Sequence, residues 1–169
     1  TGLIFHQAKI VEIKGWSMSI FTSGFVGLAA ASFITSLLLG PLVDRWRAIN
    51  LLPFILLPLA LGLLILNTFD TDYIGFLYLI FLGGSFGATF TVAGAIWPEL
   101  YGTTHLGAIK SFTKALNVFA SAVAPWVFGL LFDMGFGILE ISWLSISIIG
   151  VTGILAKLSQ FTYHTESSP

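Results

Sequence analysis

The chain contains long apolar stretches that carry almost no charge and are separated by short polar junctions. Four stretches lack Asp, Glu, Lys and Arg altogether: residues 15–43, 48–69, 73–98 and 115–132. A fifth stretch, residues 134–156, contains Glu140 as its single charged residue. A helix needs about 20 apolar residues to cross a hydrocarbon core that is roughly 30 Å thick. Each stretch is long enough, or nearly long enough, to span a bilayer, so the sequence predicts an integral membrane protein.

The composition excludes an ordinary soluble domain and favours helices over a barrel. Charged residues make up 9% of the chain, whereas soluble domains contain about 25%. Strands of a membrane barrel alternate in polarity at every second residue, and no such alternation is sustained in this sequence. The chain contains no Cys, which excludes a disulfide framework, a Cys-ligated metal and a Cys nucleophile. The sequence therefore predicts an all-α integral membrane protein built as a helical bundle.

The polar junctions divide the chain into five full transmembrane helices, with a truncated sixth helix before them. The predicted spans cover residues 16–39, 49–66, 73–97, 106–131 and 138–155. Residues 1–14 begin apolar and become polar, which predicts the end of a helix followed by a loop. Residues 40–47 are predicted to form a tight basic turn, and residues 98–105 a polar connection. Residues 1–157 then form the transmembrane part, and residues 158–169 form a loose polar tail.

The charged residues of the junctions sort into two groups, because successive spans place alternate junctions on opposite sides of the membrane. One side receives five of the seven basic residues: Arg45, Arg47, Lys110, Lys114 and Lys157. The other side receives Lys9 and Lys14 with Glu12, Asp70, Asp72, Asp133 and Glu140. The positive-inside rule makes the first side cytoplasmic, so we expect the cell (inner) membrane as the location and a cytoplasmic C-terminal tail. Interfacial anchoring is predicted for Trp16, Trp97 and Trp143.

Small residues recur at four-residue intervals in two of the predicted helices. One row contains Ser23, Gly27 and Ala31, and the other contains Gly83, Gly87, Thr91 and Ala95. Such rows allow helices to approach closely in lipid, where packing rather than hydrophobicity drives association. They predict close helix packing, with movement of these smooth faces against each other as the alternative.

The segment GPLVDRWR, residues 40–47, is the most specific motif of the chain. It resembles the G-x-L-x-D-R-x-G-R-R signature of the major facilitator superfamily, which lies between paired helices on the cytoplasmic side. The matching residues are Gly40, Leu42, Asp44 and Arg45, and Arg47 replaces the later Gly of the signature. The segment PELYGTTHLGAIKS, residues 98–111, resembles the connection between helices 10 and 11 of bacterial members.

The resemblance implies a fold of twelve helices in two halves of six. With Asp44 placed after helix 8, the five spans become helices 8 to 12, and residues 1–8 become the end of helix 7. The chain would then be the C-terminal half of the transporter, and the N-terminal half of six helices would be its partner within the same protein. The internal symmetry of the family further predicts a cytoplasmic gate in which Arg45 lies near Glu99. Asp44 is expected to lack a full partner, because its helix end belongs to the other half.

A polar stripe on the predicted span 106–131 is the best candidate for a solute path. Lys110, Lys114, Asn117 and Ser121 fall within roughly 60° of one another at about 100° per residue. Polar groups in membrane helices usually face the bundle interior or a wet cavity, which gives Lys114, Asn117 and Ser121 as candidate residues. The alternative is that both lysines extend to lipid head groups while Asn117 bonds a neighbouring helix.

No pattern of the sequence is typical of an enzyme. The spans contain no paired carboxylates, no phosphate-binding glycine loop followed by Lys, and no His cluster with metal-ligand spacing. We therefore expect no catalytic residue, cofactor, metal or nucleic-acid partner. The resemblance implies secondary active transport of a small solute by alternating access, often coupled to protons. The alternative is a membrane-embedded scaffold or enzyme without transport activity.

Overall fold

The structure is a computed structural model that describes residues 1–166, and all regular structure in this part of the chain is helical. A broken helix opens the chain, with α1 at Gly2–Phe5 and α2 at Gln7–Lys14. The long helix α3, Met18–Trp46, is followed by α4, Ala48–Leu51, a 3₁₀ turn at Leu52–Phe54, and α5, Leu57–Thr68. Three further long helices are α6 at Asp72–Tyr101, α7 at Leu106–Asp133 and α8 at Ile138–Glu166.

Five helical segments within residues 1–166 are long and apolar enough to cross a membrane. They correspond to the five predicted spans, and the second of them runs from Ala48 to Thr68 through α4, the 3₁₀ turn and α5. The predicted fold class is confirmed: the protein is an all-helical bundle with five candidate membrane spans. The predicted truncated helix is present as α1 and α2, but residues 9–14 are helical rather than a loop.

Several polar segments continue the helices beyond the predicted ends. The predicted turn at residues 40–47 is wrong, because α3 remains helical through Pro41 and Asp44 to Trp46. Helix α6 likewise passes Pro98 and ends at Tyr101. A proline removes one backbone hydrogen bond, and a long helix with many other bonds can continue past it. Residues 158–166 of the predicted tail continue α8 instead of forming a loose segment, and residues 167–169 lie outside the described part.

Helix α6 lies at the centre of the bundle, between α3 and α5. A Cβ atom on Gly83 would overlap the carbonyl oxygen of Leu28, and one on Gly87 would overlap that of Ser32. The predicted small-residue row of α6 therefore lets the two backbones touch. The predicted small-residue row of α3 is wrong at Ser23. This residue is exposed, and its hydroxyl donates a hydrogen bond to the carbonyl oxygen of Ile20 in the same helix.

The second span is broken at its two prolines, Pro53 and Pro58. The break leaves backbone N–H groups at the start of α5 without partners inside the helix. The buried hydroxyl of Ser85 on α6 accepts a hydrogen bond from Leu59 N at 2.8 Å. A neighbouring helix thus satisfies the freed backbone, as is required where no water is available.

Polar contacts hold helix ends together at each of the two ends of the bundle. At one end, Lys14 forms an ion pair with Asp70, whose carbonyl oxygen accepts a hydrogen bond from Trp16 Nε1 at 3.1 Å. Trp16 is buried in this contact, and its predicted role as an interfacial anchor stays a prediction. At the other end, Gln160 of α8 donates to the carbonyl oxygen of Ile49. Lys14 and Asp70 were predicted to lie on the same side and are in contact, while the sorting of the other charged residues and the side that faces the cytoplasm stay predictions.

Candidate functional site

Glu99 ties the C-terminal end of α6 to the turn between α3 and α4. Its Oε1 atom accepts a hydrogen bond from Arg47 Nε at 3.1 Å, and its Oε2 atom accepts one from Ala48 N at 2.6 Å. Ala48 is fully buried, and 17% of the Glu99 side chain is exposed. A carboxylate that accepts two hydrogen bonds at a mostly buried position holds both elements in a fixed arrangement.

The predicted gate pair is wrong in one residue: Arg47, not Arg45, pairs with Glu99. The reason is local, because α3 stays helical through Trp46 and the chain changes direction at Arg47. Asp44 and Arg45 are both exposed, and neither forms an ion pair with another residue of the described part. Of the other predicted gate residues, Gly40 lies on the α3 surface and Leu42 packs near the cluster around Val92.

Arg47 adopts a backbone conformation that normally belongs to glycine. Its φ is 67° and its ψ is 142°, and within residues 1–166 it is the single non-glycine residue with positive φ. A Cβ atom clashes with the backbone in this region, whereas glycine enters it freely. The same position is a Gly in the signature that residues 40–47 resemble, so the replacement places strain at the point where α3 ends.

A cleft of about 590 Å³ opens between α6 and α7, near the end of the bundle that contains Glu99. The α7 wall presents Lys110, Lys114 and Asn117, and the α6 wall presents Phe90 and Trp97. The side chains of α7 can line a cleft because no residue of this helix is buried against its neighbours. The contacts of α7 are with α1 and, more sparsely, with α6. The arrangement provides two positive charges, an amide and an aromatic surface in one open cleft.

The predicted polar stripe is divided by the structure. Lys114 and Asn117 line the cleft together with Lys110. Ser121 lies outside it, and its hydroxyl is 3.3 Å from the Thr1 hydroxyl that donates to it. The α6 wall was missed by sequence reasoning, which assigned Trp97 to an interface. The seven-residue spacing of Phe90 and Trp97, two helical turns, is the signal that places both on one face.

The fold and these two sites define a multi-pass helical membrane protein with a polar cleft beside a charged helix-end junction. The Major Facilitator Superfamily model matches residues 1–168, so the chain belongs to this family of membrane transporters for small solutes. No curated protein and no solved structure matches the chain. Members of this family are transporters and not enzymes, and the described residues contain no group of His, Cys, Asp and Glu that could hold a metal ion.

Proposed function

We propose that the chain carries out secondary active transport by alternating access and that the cleft between α6 and α7 is part of the solute path. The observation that carries this proposal is the stripe of Lys110, Lys114 and Asn117 facing an open cleft on a helix without buried residues. Polar atoms are expensive in hydrocarbon, so a polar face deep in a span indicates a wet cavity.

The proposal includes a partner half of six helices and a defined orientation. Alternating access requires two bundles that rock around a common site, and this chain supplies one of them. The basic end, with Arg45, Arg47 and Lys157, would face the cytoplasm of the cell, and the location would be the inner membrane. No acidic residue lies in the middle of a predicted span, so a proton carrier is expected in the other half or in helix 7.

The junction of Asp44, Arg45, Arg47 and Glu99 is proposed as the cytoplasmic gate. Glu99 holds the α6 end to the α3–α4 turn, while Asp44 and Arg45 present opposite charges on an exposed helix end. Charges in this position are suited to pair with helix ends of the partner half and to release them when the halves rock.

The substitution Asn117→Leu tests the solute path. Leu is more soluble in lipid than Asn, so the variant should insert normally. Uptake of a panel of radiolabelled small solutes into proteoliposomes should fall at least roughly tenfold, because a polar contact of the path is replaced by a branched apolar group. Val118→Leu, at an exposed neighbouring position of α7, is the matched control and should transport normally.

Cysteine labelling separates a solute path from a lipid-facing position. This chain contains no native Cys, so in a cysteine-free protein Asn117→Cys and Val118→Cys can be compared directly with a membrane-impermeant maleimide. The proposal requires labelling at position 117 and little at 118. Unchanged uptake by Asn117→Leu together with no labelling at position 117 would refute it and favour a scaffold without transport.

A further inference from the structure

The cleft between α6 and α7 contains two lysines, and no side chain among the described residues forms an ion pair with either of them. Lys110 and Lys114 lie one turn apart on α7, and both line the cleft. Neither ammonium group forms an ion pair with any residue in the described part of the chain, and no Asp or Glu lines the cleft. Like charges four residues apart on a helix repel each other. A negative charge between the two groups would relieve this repulsion and be attracted by both.

The opposite wall of the cleft is aromatic. Phe90 and Trp97 of α6 lie seven residues apart, so they share a face and are separated by about 10 Å along the helix. Phe90 is largely exposed, which leaves its ring available for contact. Such a surface accepts an apolar or aromatic body, and burying one is favourable in proportion to the apolar area removed from water. The two walls therefore suit the two ends of one amphipathic molecule.

We infer that the cleft binds organic anions that combine one carboxylate, sulfonate or phosphate group with a compact apolar or aromatic body. The inference rests on the proposed function and names the class of solute that would be moved. A cation would be repelled by both lysines, and a neutral solute would leave their charges uncompensated. The same charges could hold the phosphate of a lipid, but Asn117 continues the polar wall about 10 Å further along α7 than Lys110, close to the middle of this helix. This depth favours a solute.

Equilibrium dialysis with three radiolabelled probes tests the inference. The transporter that contains this chain is placed in phosphatidylcholine nanodiscs at pH 7 and about 0.15 M salt. The probes are benzenesulfonate, the neutral benzenesulfonamide of similar shape, and methanesulfonate, which has the charge without the ring. Benzenesulfonate should bind at least about tenfold more tightly than either of the others, because only it uses both walls.

Neutralising the lysines should remove the preference. Lys110→Gln with Lys114→Gln should weaken benzenesulfonate binding by about tenfold and leave benzenesulfonamide binding unchanged. Lys157→Gln, on an exposed part of α8 away from the cleft, is the matched control and should bind like the wild type. Size-exclusion elution reports whether each variant is folded, and the single variants are used if the double variant is not.

Several outcomes would overturn the inference. Equal affinity for the sulfonate and the sulfonamide would do so, as would full benzenesulfonate binding in the lysine variants. Reduced co-purification of phosphatidylglycerol with the detergent-solubilised variants, with benzenesulfonate binding in the nanodiscs unchanged, would assign the lysines to a lipid instead. Uptake into liposomes separates this inference from the proposed function: uptake of neutral solutes alone refutes the anion site, whereas anion binding without uptake of any solute refutes transport.

Discussion

Replacing Arg47 with glycine tests whether the side chain strains the turn between α3 and α4. The φ of 67° and ψ of 142° place Arg47 in a region that glycine tolerates and other residues avoid. Arg47→Ala and Arg47→Gly both remove the guanidinium group and all of its contacts. The two variants differ only in the Cβ atom, so comparing them isolates the backbone conformation from the ion pair with Glu99.

The expected difference follows from two opposing contributions. A non-glycine residue in such a conformation costs on the order of 1–3 kcal/mol. Glycine also gives the unfolded chain more freedom, which offsets about 0.4–1 kcal/mol of the gain. The free energy of unfolding of Arg47→Gly should therefore exceed that of Arg47→Ala by about 1 kcal/mol. The lost ion pair affects both variants equally and weakly, because the Arg47 side chain is 46% exposed.

Thermal unfolding of the detergent-solubilised protein, followed by tryptophan fluorescence, measures this difference. For a chain of this size, 1 kcal/mol corresponds to about 2–4 °C, so Arg47→Gly should melt about 2–4 °C above Arg47→Ala. Ala120→Gly, at an exposed position inside α7, is the control and should melt below the wild type, because glycine is a poor helix former. Equal melting temperatures of the two Arg47 variants, or a higher one for alanine, would show that the turn is not strained.

Two further predictions are checked with the same melting assay. Glu99→Ala should lower the free energy of unfolding by about 1–3 kcal/mol, because the buried N–H of Ala48 loses its acceptor. The control Glu12→Ala breaks an exposed ion pair and should lower it by less than about 0.5 kcal/mol. Similar losses for the two variants would contradict this account. Gly83→Ala should cost about 1–3 kcal/mol or more, because its Cβ meets a backbone carbonyl of α3, whereas Gly150→Ala, with open space around it, should not destabilise. A tolerated Gly83→Ala would mean that the two helices are farther apart.

Much of the fold follows from the sequence because lipid imposes a simple requirement. A spanning segment must satisfy its own backbone and must be about 20 residues long, so uncharged stretches of this length identify helices directly. Helix ends are less predictable. Pro41 and Pro98 are usual signs of a helix end, yet α3 and α6 pass both. The surrounding helical bonds maintain these helices where the local rule predicts a break.

The candidate sites were predicted in part. The stripe on α7 gave Lys114 and Asn117, since residues three and four apart on a helix share a face. The facing wall of Phe90 and Trp97 could not be derived, because it depends on which side of α6 turns toward α7. The partner of Glu99 was misassigned for a similar reason: α3 stays helical past Arg45 to Trp46, and the chain changes direction at Arg47, which brings Arg47 into contact with Glu99.

The sequence by itself determined the class of protein, the number of candidate spans, the charged helix-end segment and the polar face of α7. These properties depend on composition and on periodicity within single helices. Both are local, and a membrane constrains them tightly because a spanning helix must be apolar and about 20 residues long. Only the tertiary structure decided that α6 is central, that its glycines touch the α3 backbone, that Ser85 caps the broken second span, and that α7 stands apart to leave a cleft. Those features arise from contacts between residues that are distant in the chain, and in lipid such contacts are set by close packing, which no single helix specifies.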